Sequence, residues 1–427
     1  MTGAPLQSDF QSGEEFALAM DDRDPLKKCR QCFFFPKFED GDCIYFCGHS
    51  LGLQPKTVAT YVEQALGDWA KLGVEGHFQA ADPWMPYHRL LTGPMAELLG
   101  AKPLEVVVMN SLTVNLHLMM VSFYRPTKQR HKIVVERGAF PSDQYAVKSQ
   151  VRFHGFDPET SLIELTPREG ESCIRDEDIQ SLIDSAGDEI ALILLGGVNY
   201  ATGQAFDLAS IARLGHERGC MVGFDLAHAA GNLILKLHEW GPDFAVWCNY
   251  KYLNGGPGCV GGCFVHERHA DTRDLPRFAG WWGHDEASRF QMGPNFQAMP
   301  GAEGWQLSNP AILSLAGLRA SLDIFHEAGM ERLRAKSTSL TGYLEFLLER
   351  SASPQFSIIT PKENHRRGAQ LSIRISGNGR ALCDRLAQEG IFGDWREPDI
   401  LRVAPVPLYN SYHDVFRFVQ RFSTAKR

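Results

Sequence analysis

The residues of this chain that could do chemistry sit where apolar runs end. In "DFAVWCNYKYLNGGPG", residues 243–258, one lysine, Lys251, stands between Tyr250 and Tyr252 where a buried run gives way to a glycine-rich turn. A second run, "VGFDLAHAAG", closes on Asp225 with His228 following it. "MNSLTVNLH" puts Ser111, Leu112 and Thr113 at a strand-to-helix turn. "ERGAFPSDQY" puts Phe140 at a strand end, followed by the turn Pro141, Ser142 and Asp143.

Each residue type suits one chemistry. A primary amine at a strand end can form a Schiff base with an aldehyde, and the aromatic and apolar neighbours of Lys251 argue against an ordinary solvated surface charge. A carboxylate closing an apolar run is costly to bury unless a cation or a strong donor meets it. A protonated ring nitrogen is such a partner for Asp225. Pyridoxal phosphate needs an anion of this kind, because its protonated pyridine is an electron sink. Hydroxyls and free N–H groups at a helix N-terminus suit a phosphate, although plain capping uses the same residues. An aromatic ring at Phe140 can stack on a planar cofactor, or simply be core.

Something must hold these groups together. "LEVVVMN", "HKIVVERGAF", "IALILLGGVNY", "GCMVGFDLAHAAG" and "DFAVWCNYKYL" are continuous apolar runs of strand length, as strands covered on both faces would be. Between them, "LTVNLHLMMVSFY" and "DLASIARLGHERG" repeat their apolar residues at helical spacing. The pattern predicts an α/β core with a mostly parallel sheet, in which ligands sit beyond the carboxyl ends of the strands. After about residue 310 come the helices "AILSLAGLRASLDIFHEAG" and "MERLRAKSTSLTGYLEFLLERS". They are followed by the strand-like "AQLSIRIS" and "ILRVAPV", separated by the helical "GRALCDRLAQEG". Three parts are expected: an N-terminal segment (1–60) packing with a small domain, a large cofactor-binding domain (61–310) and a small α+β C-terminal domain (311–427).

Composition narrows the partners. The chain has 427 residues, 44% of them hydrophobic, and a formal net charge of -8. That balance gives no general attraction to nucleic acid or to an anionic membrane, so a small-molecule substrate is expected. The ten cysteines include Cys29 and Cys32 in "CRQC", which lacks the second pair or the histidines needed to close a zinc site. No metal is expected. The acidic N-terminus and the lack of an apolar stretch of spanning length point to a soluble, cytoplasmic protein.

Taken together, "GVNYATGQ", "VGFDLAHAAGN", "WCNYKYLNGGPG", "GWWGH", "SNPAILS" and "RVAPVPLYNSYHD" resemble the kynureninase family, pyridoxal-phosphate enzymes of fold type I. The resemblance runs from about Gly48 to Phe416. It implies a large domain with a mostly parallel seven-stranded sheet beside a smaller α+β domain. It also implies roles: Lys251 as the Schiff-base lysine, Asp225 as partner of the pyridine nitrogen, Phe140 on the ring with Asp143 near it, and His228 close by. Leu112, Thr113, Tyr250, Trp281 and Asn309 would lie at or near the phosphate, with Pro141, Ser142 and Gly196 beside the cofactor. Tyr250 is also the candidate proton relay. Arg402 would pair with the substrate α-carboxylate, which suits its bidentate fork, and His77, Trp282 and Asn309 would line the pocket for the aniline ring.

The implied reaction is hydrolytic Cβ–Cγ cleavage of L-kynurenine and 3-hydroxy-L-kynurenine, giving anthranilate or 3-hydroxyanthranilate plus L-alanine, in tryptophan catabolism and NAD biosynthesis. Polar atoms on His77 and Asn309 could meet a 3-hydroxyl, so the hydroxylated substrate is expected to be favoured by at least about tenfold. Two positions depart from the family's pattern. His49 stands before "SLGLQP" where relatives often have Asn, and Gly196 stands where animal relatives have a serine, leaving only its backbone N–H for a phosphate. By analogy with the family a homodimer is expected. A different class V-type enzyme, an aminotransferase or a cysteine desulfurase, would share the lysine and the aspartate. A desulfurase also needs a mobile-loop cysteine, and nothing in the sequence identifies one.

Overall fold

The computed structural model describes residues 10–272, 274–351 and 355–424. Its centre is a sheet of β1 (Val106–Val108), β2 (Lys132–Glu136), β3 (Leu162–Leu165), β4 (Ile190–Gly196), β5 (Met221–Asp225), β6 (Phe244–Cys248) and β7 (Gly261–Val265). They lie side by side in the order β1-β7-β6-β5-β4-β2-β3. Pairing is parallel from β6 across β5, β4 and β2 to β3, while β7 runs antiparallel to both β6 and β1.

β6 and β7 are buried throughout, and β4 at every residue but its last. Burial on both faces is why these runs are apolar without alternation. All five runs picked out from sequence contain a strand. β3 and β7 were not among them. β3 is an edge strand carrying Glu164, and β7 begins on two glycines that look like a turn. Gly262 is there for a contact: a Cβ would fall 2.1 Å from the Trp247 ring on the neighbouring strand.

Eight helices carry the argument: α1 (Glu14–Arg23), α2 (Leu112–Phe123), α3 (Pro141–Phe153), α4 (Leu208–Glu217), α5 (Ile312–Ala328), α6 (Met330–Arg350), α7 (Gly379–Gln388) and α8 (Tyr412–Thr424). α4 starts at Asp207, whose side chain accepts the Ser210 N–H, an ordinary aspartate N-cap. Among the described residues no helix is long and apolar enough to cross a membrane.

A second sheet follows, built of β8 (Phe356–Ile358), β9 (Leu371–Ile375), β10 (Asp394–Arg396) and β11 (Ile400–Val403), antiparallel in the order β8-β9-β11-β10. β9, α7 and β11 fall on the runs read from sequence. β8 and β10 are three residues each, too short to show a period. This sheet shares a core with Leu344 of α6, Phe418 of α8, and Phe10, Ala17, Ile44 and Phe46 from the start of the chain. α1 is tied down by charge as well: the Asp21 carboxylate accepts the N–H groups of Tyr412 and His413 at 2.7 and 3.0 Å, and Lys336 Nζ lies 2.7 Å from buried Asp24.

The two cores do not divide at residue 310. Leu315, Leu318, Leu322 and Phe325 of α5 belong to the large core, and residues of α6 from Leu340 onward to the small one. A cut at 310 would strip from the large core a helix that it buries. The change of core therefore falls around the α5–α6 junction. The first sixty residues are likewise shared, because Leu26, Phe33 and Leu53 pack into the large core.

Candidate active site

Glu136, Gly196 and Asp225 are the last residues of β2, β4 and β5, and Lys251 follows the end of β6. The shared polarity of these strands brings all four to one edge of the sheet. There they border a cavity of about 280 Å³, also lined by Thr113, Phe140, His228 and Tyr250.

Lys251 Nζ lies 3.2 Å from His228 Nε2 and under 6 Å from two aromatic rings, 5.9 Å from the centroid of Phe140 and 5.8 Å from that of Tyr250. Burial, and then the charges of Lys251 and Arg402, hold the His228 imidazole well below its usual range. It is therefore neutral at pH 7, and its Nε2 accepts from the ammonium. Burial and the nearby Cys248 push the Tyr250 hydroxyl up, so it keeps its proton.

Asp225 Oδ1 accepts the Ala227 N–H at 2.7 Å. Burial raises its pKa, and Asp143 beside it is raised too, by burial and by the charge of Asp225. Two buried carboxylates thus face each other with Lys251 as the cation acting on both. The site is short of positive charge, which a protonated pyridine nitrogen would supply. At the N-terminus of α2, Ser111 makes no side-chain capping bond, while Thr113 Oγ1 and Ser142 Oγ lie 2.8 Å apart. Ser111 does not cap that turn, and N–H groups at a helix start suit an anion. Phe140 is half-exposed and held edge-on by Tyr200, with ring centroids 5.5 Å apart. Amine, carboxylates, anion seat and aromatic face together fit pyridoxal phosphate.

Arg402 is no surface residue; it is 1% exposed. Its Nη1 donates to the Tyr200 carbonyl at 2.8 Å, and its Nη2 to Ser50 Oγ at 3.2 Å and to the Asp394 carboxylate. Its Nε is buried without a partner. His49 Nε2 lies 3.5 Å from Asp394, and burial together with Arg402 pushes its pKa down to about 4. His49 is thus a neutral neighbour of the Arg402–Asp394 pair.

Most of the other expected residues have partners of their own within the chain. The Gly196 N–H is not free for a phosphate, because it donates to Glu136 Oε1 at 2.8 Å. A Cβ on Gly196 would fall 2.8 Å from that same oxygen, so Glu136 occupies the space a serine would need. Nor does a single chain bring His77, Trp281, Trp282 or Asn309 to the cavity. His77 Nδ1 lies 3.0 Å from the Val74 carbonyl, and its ring packs edge-on against Trp84. Trp281 Nε1 reaches the Arg289 carbonyl at 3.5 Å, and Trp282 is buried beneath the Arg289 guanidinium. Asn309 is exposed. The physical reason is where their segment is anchored. Trp282 N–H bonds Leu307, and nearby Trp305 bonds Ser122 near the C-terminus of α2, about 15 Å along that helix from the anion seat.

Sequence reading passed over Glu136, Asn199, Tyr200, Ser50 and Asp394. Glu136 closes an apolar run as Asp225 does, and that signal could have found it. Asp394 has no such mark; only the β10–β11 register, which sets it opposite Arg402, reveals it.

Comparison with known proteins adds to this geometry. A family model described as the kynureninase C-terminal domain matches residues 333–422. A relative from Koribacter versatilis named kynureninase is 67% identical over 414 residues, covering 97% of this chain and 98% of that protein. Another of that name, from Myxococcus xanthus, is 62% identical over 412 residues, covering 96% and 97%. Among solved structures, a C-DES mutant with glycine covalently linked to its PLP cofactor superimposes with a TM-score of 0.76 at 17% identity, covering 89% of this chain and 96% of that one. The cysteine desulfurase CsdA from Escherichia coli gives 0.75 at 19% identity, covering 94% and 98%. At such identity the structural likeness speaks for the fold alone.

Proposed function

The chain belongs to the kynureninase family, and from that premise we propose that Lys251 is its cofactor lysine, Asp225 the anion that keeps the cofactor ring protonated, and Arg402 the anchor for the substrate carboxylate. The enzyme uses pyridoxal 5'-phosphate and cleaves the Cβ–Cγ bond of L-kynurenine or 3-hydroxy-L-kynurenine by hydrolysis, releasing anthranilate or 3-hydroxyanthranilate and L-alanine. The observation that carries the residue roles is the pair of buried carboxylates, Asp143 and Asp225, set against Lys251 across one cavity.

Bound in that cavity, pyridoxal phosphate supplies an electron sink for negative charge that develops on the substrate. The chain does the rest. The N-terminus of α2, with the hydroxyls of Thr113 and Ser142, holds the phosphate; Phe140 covers the ring. Lys251 carries a proton to and from substrate carbon on its Nζ. His228 steadies that amine through Nε2 without adding a second charge. Tyr250 keeps a proton on its Oη, available to the carbonyl oxygen of the aryl ketone as water adds to that carbon and the Cβ–Cγ bond breaks to release the arylcarboxylate.

The test is to supply the purified protein with the cofactor and either substrate, and to follow anthranilate-type fluorescence and alanine. Turnover of both is expected, with 3-hydroxykynurenine favoured by at least about tenfold in kcat/KM. No turnover of either would refute the assignment. Sulfide from cysteine at a comparable rate would favour the desulfurase reading.

Arg402→Lys keeps the charge but loses the fork. KM should rise with little change in kcat, a loss of about 1.5–3 kcal/mol in substrate binding. An unchanged KM would show that Arg402 is not the carboxylate anchor.

The proposal includes a homodimer in which His77, Trp281, Trp282 and Asn309 serve the cavity of the partner subunit. Support comes from the exposed rings of Trp69, Phe78, Trp281 and Phe290, an unusual amount of aromatic surface for one chain to leave in water. Mixing Lys251→Ala with Asn309→Ala protein after subunit exchange should restore activity. About a quarter of the parent rate is expected, since half the dimers are hybrids with one intact site of two. No recovery would place Asn309 outside a shared site. A cytoplasmic location is supported by the ten cysteines, all free thiols.

A further inference from the structure

Glu136 has no part in the roles above, yet it is 4% exposed and borders the same cavity. Both its oxygens are committed: Oε1 accepts the Gly196 N–H at 2.8 Å and Oε2 the Asn199 side-chain amide at 2.6 Å. Asn199 is equally committed through its other end. Its Oδ1 accepts from Ala201 N, Thr202 N and Thr202 Oγ1 at 3.0, 2.8 and 3.1 Å, which folds residues 199–202 into a turn.

That turn presents Tyr200. The Tyr200 ring stands edge-on to Phe140 and its carbonyl accepts Arg402 Nη1 at 2.8 Å. One residue, through its ring and its backbone carbonyl, therefore links the aromatic wall of the cofactor site to the guanidinium of the substrate site. The carbonyl also takes Gln370 Nε2 at 3.0 Å, tying the turn to the small-domain sheet.

We propose that Glu136 and Asn199 form a coupled positioning pair, which seats Tyr200 so that Phe140 and Arg402 are held for cofactor and substrate together. The proposal rests on the functional reading above and adds to it two residues that act through Tyr200. A carboxylate is required at 136 for a countable reason. Asn199 cannot turn its amide over without losing three bonds at Oδ1, so it always offers a donor to residue 136. The Gly196 N–H is a second fixed donor. Residue 136 must therefore offer an acceptor atom at both positions, and glutamine offers one at only one of them, with a donor at the other.

The same count identifies the compensating change. In Glu136→Gln one donor faces another. With Asn199→Asp added, the new carboxylate accepts the glutamine amide on one oxygen and keeps the turn on the other, so the pair is restored with its polarity reversed. The experiment measures pyridoxal phosphate affinity by titrating apoprotein, and KM and kcat on the loaded enzyme, for the parent, Glu136→Gln, Asn199→Asp and the double variant. Each single variant should weaken cofactor affinity and raise KM by about tenfold, with kcat within about threefold of the parent, because neither residue meets the reacting atoms. The double variant should recover both constants to within about threefold.

A double variant no better than Glu136→Gln would overturn the pairing, as would a single variant with parent-like constants. If Glu136→Gln does not fold, the double variant decides alone: parent-like constants support the pair, weakened ones overturn it. A failure of the functional reading would be seen in the parent protein itself, which would then neither bind the cofactor nor cleave kynurenine. Failure of the pair shows only in the variants.

Discussion

Lys251→Ala is expected to yield a folded protein that binds pyridoxal phosphate without the visible absorption of a lysine-linked cofactor, and that turns over neither substrate. The fold should survive, because Lys251 lies past the end of β6 and, among the described residues, its Nζ bonds only His228, so no core contact depends on the amine. Non-covalent binding should survive too. The anion seat at the start of α2 and the carboxylate of Asp225 do not need the lysine. Turnover is another matter: among the described residues no other amine borders the cavity, so covalent attachment and proton transfer are lost together. A fall of about 10⁴-fold or more in kcat is expected, as when a covalent nucleophile is removed. An internal check comes from His228. The charge of Lys251 is the second cause of its lowered pKa, after burial. Removing that charge should move the imidazole upward while leaving it below its usual range, a shift that NMR titration of the ring can follow. Retained turnover with full colour would remove Lys251 from the mechanism.

How far this site could be read from sequence depended on what decides each residue's place. Asp225 and Lys251 were legible because a polar residue at the end of an apolar run lands on the carboxyl edge of a parallel sheet, whatever the strand order. Glu136 obeys the same rule and was passed over, since Arg137 beside it suggests an ordinary charged turn. Its burial comes from β2 lying between β4 and β3, a non-local fact. Asp394 and the Tyr200 carbonyl reach Arg402 only through strand register and a turn, and neither leaves a local trace. The glycines that open β7 hid a strand because their value is the space they leave for Trp247, which has no periodicity. A change from sheet to helix in the sequence is not a change of core: α5 still packs on the large one. His77, Trp281, Trp282 and Asn309 mark the limit of a single chain, since their neighbours within it account for their positions without reference to Lys251.

Asp225→Asn separates the cost of the site from its use. In the protein without cofactor, Asp225 and Asp143 are both pushed above the usual carboxylate range by burial, with Lys251 as their shared cation. A carboxyl whose pKa is raised on folding binds its proton more tightly in the native state than in the unfolded one. Stability therefore falls as pH rises from the usual carboxylate range toward the raised value. Asparagine keeps the shape and can still accept the Ala227 N–H, while removing the charge. It also relieves Asp143 of the repulsion from Asp225, leaving burial as the main cause of the remaining upward shift. The apoprotein of the variant should consequently melt higher than the parent apoprotein near pH 7, by about 1–4 °C, and the two should converge as pH falls to about 4. The loaded enzyme should show the reverse. Without the anion the cofactor ring nitrogen is no longer held protonated, so cofactor affinity should weaken and kcat should drop by about 10²–10³-fold or more. The two measurements have opposite signs only if Asp225 is a carboxylate that folding disfavours and the cofactor requires. A variant apoprotein that melts lower, or a loaded variant with a near-parent rate, would show that the residue is an ordinary structural aspartate.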